Sequence, residues 1–195
     1  MPIVVVGKVK DTKDPQGLGR VQVKLQGYAS EVEIPWIRLV GTYASNNFGV
    51  VLLPEKDDEV LVLKGDGESS DQMVCLGPVY NGQRKPHQPD DDGENNVKAI
   101  KTRAGHLISI SDKSGEESVL ISTPDEKLSI KLDHPAGTIT ITSSDKIHLS
   151  CPSGQVMVEC QKAEVSASAG VSISGGSSVS VDAAQISLSG NVSLG

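Results

Sequence analysis

The sequence predicts an all-β protein. An N-terminal barrel of short strands is followed by a ladder of still shorter strands that needs three copies of the chain to close. Three observations predict this. β-branched residues alternate with polar ones along most of the chain, the period of half-buried strands. Apolar residues make up only 37% of the 195 residues and aromatic ones 3%, too little for one thick globular core. From residue 101 onward, apolar residues recur in pairs two positions apart until the end, a repeat whose units cannot bury their own faces.

The strands of residues 1–83 follow in order. Ile3 to Lys10 alternates, and the turn-rich DTKDPQGL at Asp11 to Leu18 closes it. Val21, Val23 and Leu25 share one face of the next strand. A third strand over Glu31 to Val40 carries Val32, Ile34, Trp36 and Arg38 on one side. Val50 to Pro54 leads to a turn at Glu55 to Asp58, and the apolar run Val60 to Leu63 reads as a central strand. Gly65-Asp66-Gly67 starts a hairpin loop, and Met73 to Val79 completes the set. Short antiparallel strands without a helix predict a barrel of oligonucleotide/oligosaccharide-binding (OB) type.

Residues 84–100 read as a linker. Pro86, Pro89 and the acidic run Asp90 to Asp92 break the pattern. The repeat of residues 101–195 then begins. Its pairs are Ile108/Ile110, Val119/Ile121, Leu128/Ile130, Ile139/Ile141, Ile147/Leu149 and Val156/Val158, with a weaker one at Val165/Ala167. Four apolar-Ser-apolar triplets end it, at Val171–Ile173, Val179–Val181, Ile186–Leu188 and Val192–Leu194. From Ser166 onward the only charged residue is Asp182.

A single-chain β-helix needs longer coils than these intervals provide. Three chains about one axis solve the burial problem, because inward residues from all three meet at the centre and closure removes lateral edges. The expected architecture is an intertwined triple-stranded β-helix, a homotrimeric prism. Its axial core is expected at Ile139, Ile141, Ile147, Leu149, Val156, Val158, Val171, Ile173, Val179, Val181, Ile186 and Leu188. Eleven layers (six pairs, one weaker pair, four triplets) at about 4.8 Å give a needle on the order of 50 Å long.

Charge and motifs exclude several functions. A net charge of −7 argues against general binding to a phosphate backbone. The N-terminal MPIVVVGKVK has no basic n-region and too short an apolar run for a signal peptide, so synthesis in the cytoplasm is expected. Cys75, Cys151 and Cys160 have no disulfide-framework spacing; the latter two follow Leu149 and Val158 by two residues and are expected to pack inward. The many serines alternate with Val and Ile and lack nucleophile-elbow spacing, so no catalytic residue is expected. Gly17-Leu18-Gly19 precedes a strand and is a turn, not a phosphate loop. The acidic run lacks calcium-loop spacing, and His106 and His148 read as surface or pore-lining groups; no metal and no cofactor are expected.

Several stretches together resemble the contractile-tail spike proteins, which include phage baseplate spikes of the gpV kind and the VgrG spikes of type VI secretion. The matching residues are Gly19-Arg-Val-Gln-Val23, Pro35-Trp-Ile-Arg38, Gly49, Pro54-Glu-Lys-Asp-Asp-Glu-Val-Leu-Val62, Gly65-Asp-Gly67 and Leu76-Gly-Pro-Val-Tyr-Asn-Gly82. Thr102 to Asp112 (TRAGHLISISD) looks like the family's lead into its β-helix. The resemblance implies a trimeric, membrane-piercing structural spike in the baseplate of a phage, a tailocin or another extracellular contractile injection system. VgrG proteins carry a hub domain before the OB fold, so here a separate hub protein is expected to seat the barrel. Several phage spikes end in an iron-binding His-x-His, which this sequence lacks. Val192, Ser193, Leu194 and Gly195 are therefore expected to dock a separate PAAR-type tip protein. The competing reading is an OB-fold nucleic-acid-binding protein with an oligomerising β tail; it needs exposed aromatics on a basic groove.

Overall fold

The computed structural model describes residues 1–27, 32–66, 69–88 and 93–193. Tyr28, Glu31, Gly67, Pro89, Asp90 to Asp92, Leu194 and Gly195 lie outside them. Residues 1–146 form one compact unit and residues 147–195 a second.

The first unit opens with the expected barrel. Its strands are β1 (Ile3–Asp11), β2 (Val21–Leu25), β3 (Val32–Leu39), β6 (Glu59–Lys64) and β7 (Met73–Pro78). A short hairpin, β4 (Ala44–Ser45) and β5 (Phe48–Gly49), lies between β3 and β6. The barrel closes in the order β1-β2-β3-β7-β6. Its core is small and aliphatic: Val9, Val21, Val23, Leu25, Ile34, Ile37, Val60, Val62, Met73 and Cys75. Burial pushes the Cys75 thiol pKa up, as expected for an ionisable group enclosed by aliphatic neighbours.

Two features depart from simple alternation. Ile34 and Ile37 point inward while Trp36 is only half-buried; strict alternation on the Ile34 face predicts Trp36 there instead. The β2–β3 register shifts between Val21/Val23, so that Val21 faces Ile37 and Val23 faces Ile34. Pro35 lies in the shift, where a residue without an N–H is tolerated because the ladder is already interrupted. The second departure is in the closure. All other barrel pairings are antiparallel, but β3 and β7 are parallel, with Arg38 opposite Val74 and Leu39 opposite Cys75.

The β1–β2 loop is organised by one carboxylate. Asp14 accepts hydrogen bonds from the backbone N–H of Gln16 (3.0 Å), Leu18 (3.0 Å) and Arg20 (3.2 Å). The Arg20 guanidinium grips the same carboxylate, Nε at 3.0 Å and Nη2 at 2.8 Å. The Asp14 side chain is 3% exposed and that of Arg20 21%. This fork-on-carboxylate geometry is the strong form of the charge-assisted bond. The Arg20 guanidinium, followed by the three backbone donors, holds the Asp14 carboxyl far below the usual range.

A second sheet follows the barrel: β8 (Val97–Lys101), β9 (Leu107–Ser111), β10 (Ser118–Ser122), β11 (Ser129–Asp133) and β12 (Thr138–Thr142). It is an antiparallel meander, each strand paired to the next. β8 occupies residues expected to be linker up to 100, so the sheet starts one strand earlier than the sequence pattern suggested. Val97 to Lys101 pairs with Leu107 to Ser111, and Ile100 supplies an apolar residue that has no i+2 partner in the sequence. In β11 the residues in register with the neighbouring pairs are Ile130 and Leu132, so that pair sits two residues later than Leu128/Ile130.

In the second unit, the described residues 147–193 are assigned no strand and pair with nothing inside the chain.

Two outcomes are expected. A Cβ on Gly7 would lie 2.4 Å from Val23 Cγ1 and 3.1 Å from the Lys24 carbonyl oxygen. Gly7→Ala should therefore destabilise the barrel by about 1–3 kcal/mol in chemical denaturation. Asp14 has a depressed folded-state pKa, so its contribution is present above the ordinary carboxylate pKa near ~4 and is lost as pH falls below it. The melting temperature should drop on acidification below about pH 4, and Asp14→Asn should flatten that acid limb.

Candidate functional site: an unpartnered apolar surface

The β8–β12 sheet carries its aliphatic residues on one face. In an antiparallel sheet, residues directly opposite each other point the same way. Ile100 is opposite Ile108, Ile108 opposite Ile121, Ile121 opposite Ile130 and Ile130 opposite Ile141. A parallel row runs through Ile110, Val119, Leu132 and Ile139. No described residue of the first unit covers these rows. Eight of the nine side chains are between 41% and 73% exposed, Ile130 the least and Ile139 the most; Val119 is half-buried.

Full burial of such a side chain is worth roughly 1.5–3 kcal/mol. Eight half-exposed ones therefore forgo about 6–12 kcal/mol, as much as the whole net stability of a typical domain. Scattered exposed aliphatics are ordinary, but contiguous rows in register mark an interaction surface. The opposite face is mostly polar: Ser109, Ser111, Ser118, Lys131, Asp133, Thr138, Thr140 and Thr142 lie there, together with the apolar Val97, Leu107 and Leu120. Its charges are partly self-neutralised, with Lys131 Nζ 2.7 Å from Asp133 Oδ2.

Residues 147–193 repeat the theme. The first members of the pairs, Ile147, Val156, Val171, Val179 and Ile186, are 55–63% exposed. The second members, Leu149, Val158, Ile173, Val181 and Leu188, are 69–76% exposed. This alternation in exposure means that the repeat is geometric as well as chemical: each unit presents its pair in the same way. Ile139 and Ile141 extend the expected axial set into β12. Val192 and Ser193 are exposed at the far end of the described residues. Cys151 and Cys160 are free and exposed in the single chain.

Other chemistry is sparse. Among the described residues, no group of three or more His, Cys, Asp and Glu side chains could hold a metal ion, and no helix is long and apolar enough to cross a membrane. On the barrel, Lys8, Lys10, Lys24 and Lys56 line a cleft of about 600 Å³. The sequence does not announce this basic cluster, because the lysines come from two paired strands and a turn. Glu33 accepts from Lys10 at 2.5 Å and lies 3.9 Å from Lys24. Among the described residues that line it none is aromatic, whereas binding of single-stranded nucleic acid uses aromatic stacking beside charge.

Residues 5–80 match the family described as the type VI secretion system/phage-baseplate injector OB domain. The barrel is thus similar to the injector OB domain, the domain that gpV- and VgrG-like spikes carry. The matched span runs from within β1 to just past β7 and so contains the whole closed barrel. A search of curated protein sequences returns no match. The expected resemblance therefore holds where the barrel lies, and it ties the chain to the baseplate or type VI injector. The Asp14–Arg20 clamp lies inside the matched region. In the sequence Arg20 stands out only within the Gly19-Arg-Val-Gln-Val23 stretch, since a loop carboxylate two to six residues before its donors has no periodic signature.

Proposed function

We propose that this protein is the structural central spike of a contractile injection apparatus and acts as a homotrimer without enzymatic activity. One observation carries the reading: an injector OB domain is joined to five short strands whose aliphatic rows are left exposed among the described residues, and the apolar repeat continues in the sequence beyond them. Three copies arranged about an axis turn those faces toward one another. In β8–β12 each chain would contribute one wall, built from its own antiparallel meander. Beyond residue 146, where no ladder forms within the chain, strands of neighbouring chains would pair and the walls would intertwine.

The mechanism is mechanical. Sheath contraction elsewhere in the particle supplies the work. A prism with a shared apolar axis transmits it without bending, because its backbone bonds and its core must break together. A hub protein would seat the barrel, and a PAAR-type tip protein would dock near Val192 and Ser193. The near absence of charge after Ser166 lowers the desolvation cost of entering a bilayer. Assembly would take place in the baseplate of a phage or a phage tail-like particle.

Light scattering on the purified chain should give three times 20.4 kDa; a monomer rejects the proposal. Replacing Ile130 and Ile141 together by Asp should abolish the trimer, since paired carboxylates cannot be buried on the axis without several kcal/mol of desolvation cost. Thiol labelling gives an independent check. Cys75 should resist a maleimide until the barrel unfolds. Cys151 and Cys160, exposed in a lone chain, should be protected in the native trimer and react once it is denatured.

A further inference from the structure

The β3–β6 connection holds an aromatic hairpin with no role in the barrel. The chain has five aromatic residues: one Trp, three Tyr and one Phe. None belongs to the buried core. Tyr43 is 59% exposed, Phe48 58% and Tyr80 73%. Aromatic side chains combine a large contact area with few rotatable bonds and dominate protein interfaces. In a chain this poor in them, their placement on the surface is a strong signal.

The hairpin is stiff. The Tyr43 and Phe48 rings pack with centroids 5.7 Å apart at 49°. The backbone N–H of Val50 donates to the Tyr43 carbonyl at 2.9 Å. Asn47 takes the left-handed turn at φ 64°, which Asn tolerates. A Cβ on Gly49 would lie 2.5 Å from the Tyr43 oxygen, so only Gly allows the two arms this close. The segment Tyr43 to Gly49 (YASNNFG) carries no charge. A preformed, uncharged, aromatic tip loses little entropy on insertion.

The same chain carries a complementary recess. A cleft of about 950 Å³ lies between barrel and sheet, with Leu52, Leu53, Tyr80 and Ile100 among its apolar walls. Its two arginines are paired with carboxylates, Arg103 Nη1 to Glu55 Oε2 at 2.7 Å and Arg84 Nε to Asp58 Oδ1 at 3.2 Å, and Lys101 Nζ lies 3.2 Å from His87 Nδ1. The apolar walls between these groups suit an uncharged, aromatic insert. Ile100 also begins the apolar row of the sheet, so the cleft is continuous with the face assigned above to neighbouring copies.

We propose that the Tyr43–Phe48 hairpin of each copy inserts into the barrel–sheet cleft of the next. Wedge and recess are different patches of one chain, so the contact is head-to-tail, and three such contacts close a ring. The inference rests on the trimeric spike reading and adds to it a latch between barrels, separate from the axial core. It gives the exposed residues Val51 and Leu52 a role as the lip of the recess.

The test uses the full-length chain with Phe48 replaced by the photo-cross-linker p-benzoylphenylalanine. Irradiation should give covalent dimers and trimers, with cross-linked peptides mapping to residues 80–103. Adding Leu52→Asp at the lip should cut the yield roughly tenfold or more, as loss of an interface anchor does, while light scattering still reports a trimer held by its axis. A trimer whose position 48 cross-links elsewhere, or only to a hub protein in assembled particles, overturns the latch and leaves the spike reading standing. A monomer overturns both.

Discussion

The structure depends on a mismatch between how this chain makes apolar surface and how much of it one copy can bury. Each strand after residue 96 is five residues long or shorter. Such a strand turns two or three side chains to one side and has no second layer within the chain to cover them. In the barrel the problem is solved by closure: five strands curl until their inner faces meet, and the ten-residue core is almost fully dry. In the β8–β12 sheet it is left open. The rows from Ile100 to Ile141 and from Ile110 to Ile139 stay in register and in water.

That contrast explains the composition. On the trimeric reading, a chain that buries its faces against copies of itself would need alternation and regular turns more than bulk, and aliphatic β-branched residues would fit a narrow shared axis better than a large ring from each of three chains. Among the described residues no aromatic one is in the buried core or the rows: Trp36 is half-buried in β3, Tyr43 and Phe48 form the hairpin, and Tyr80 lines the cleft. Charge follows the same logic. The early loops of the sheet carry local pairs such as Lys113 with Glu116 and Lys98 with Asp112, while the final repeats are nearly neutral.

The barrel is held by a different kind of interaction. Asp14 gathers three backbone N–H groups and one guanidinium into a single clamp, fixing a nine-residue excursion between β1 and β2 that would otherwise be a loose, Gly- and Pro-containing loop. Gly7 lets β1 and β2 approach so closely that no side chain fits between them. The barrel is thus rigid at the end of the chain where the spike reading requires a firm seat.

Much of this was legible in the sequence. Period-two alternation located β1, β2, β6, β7, β9 and β12 within a residue or two, because a strand with one wet and one dry face must be written that way. Other features were decided only in three dimensions. The bulge at Pro35 exchanged Trp36 for Ile37, since an inserted residue reverses every later side chain and leaves only Pro as a hint. The parallel β3–β7 closure joins strands about 35 positions apart, which no local pattern encodes. β8 was hidden because Lys98 and Ala99 separate Val97 from Ile100. The sequence by itself determined which residues want to leave water. The tertiary structure decided which of them one chain can satisfy, because burial depends on what lies opposite a face, and the aliphatic rows of β8–β12 stay exposed among the described residues of their unit.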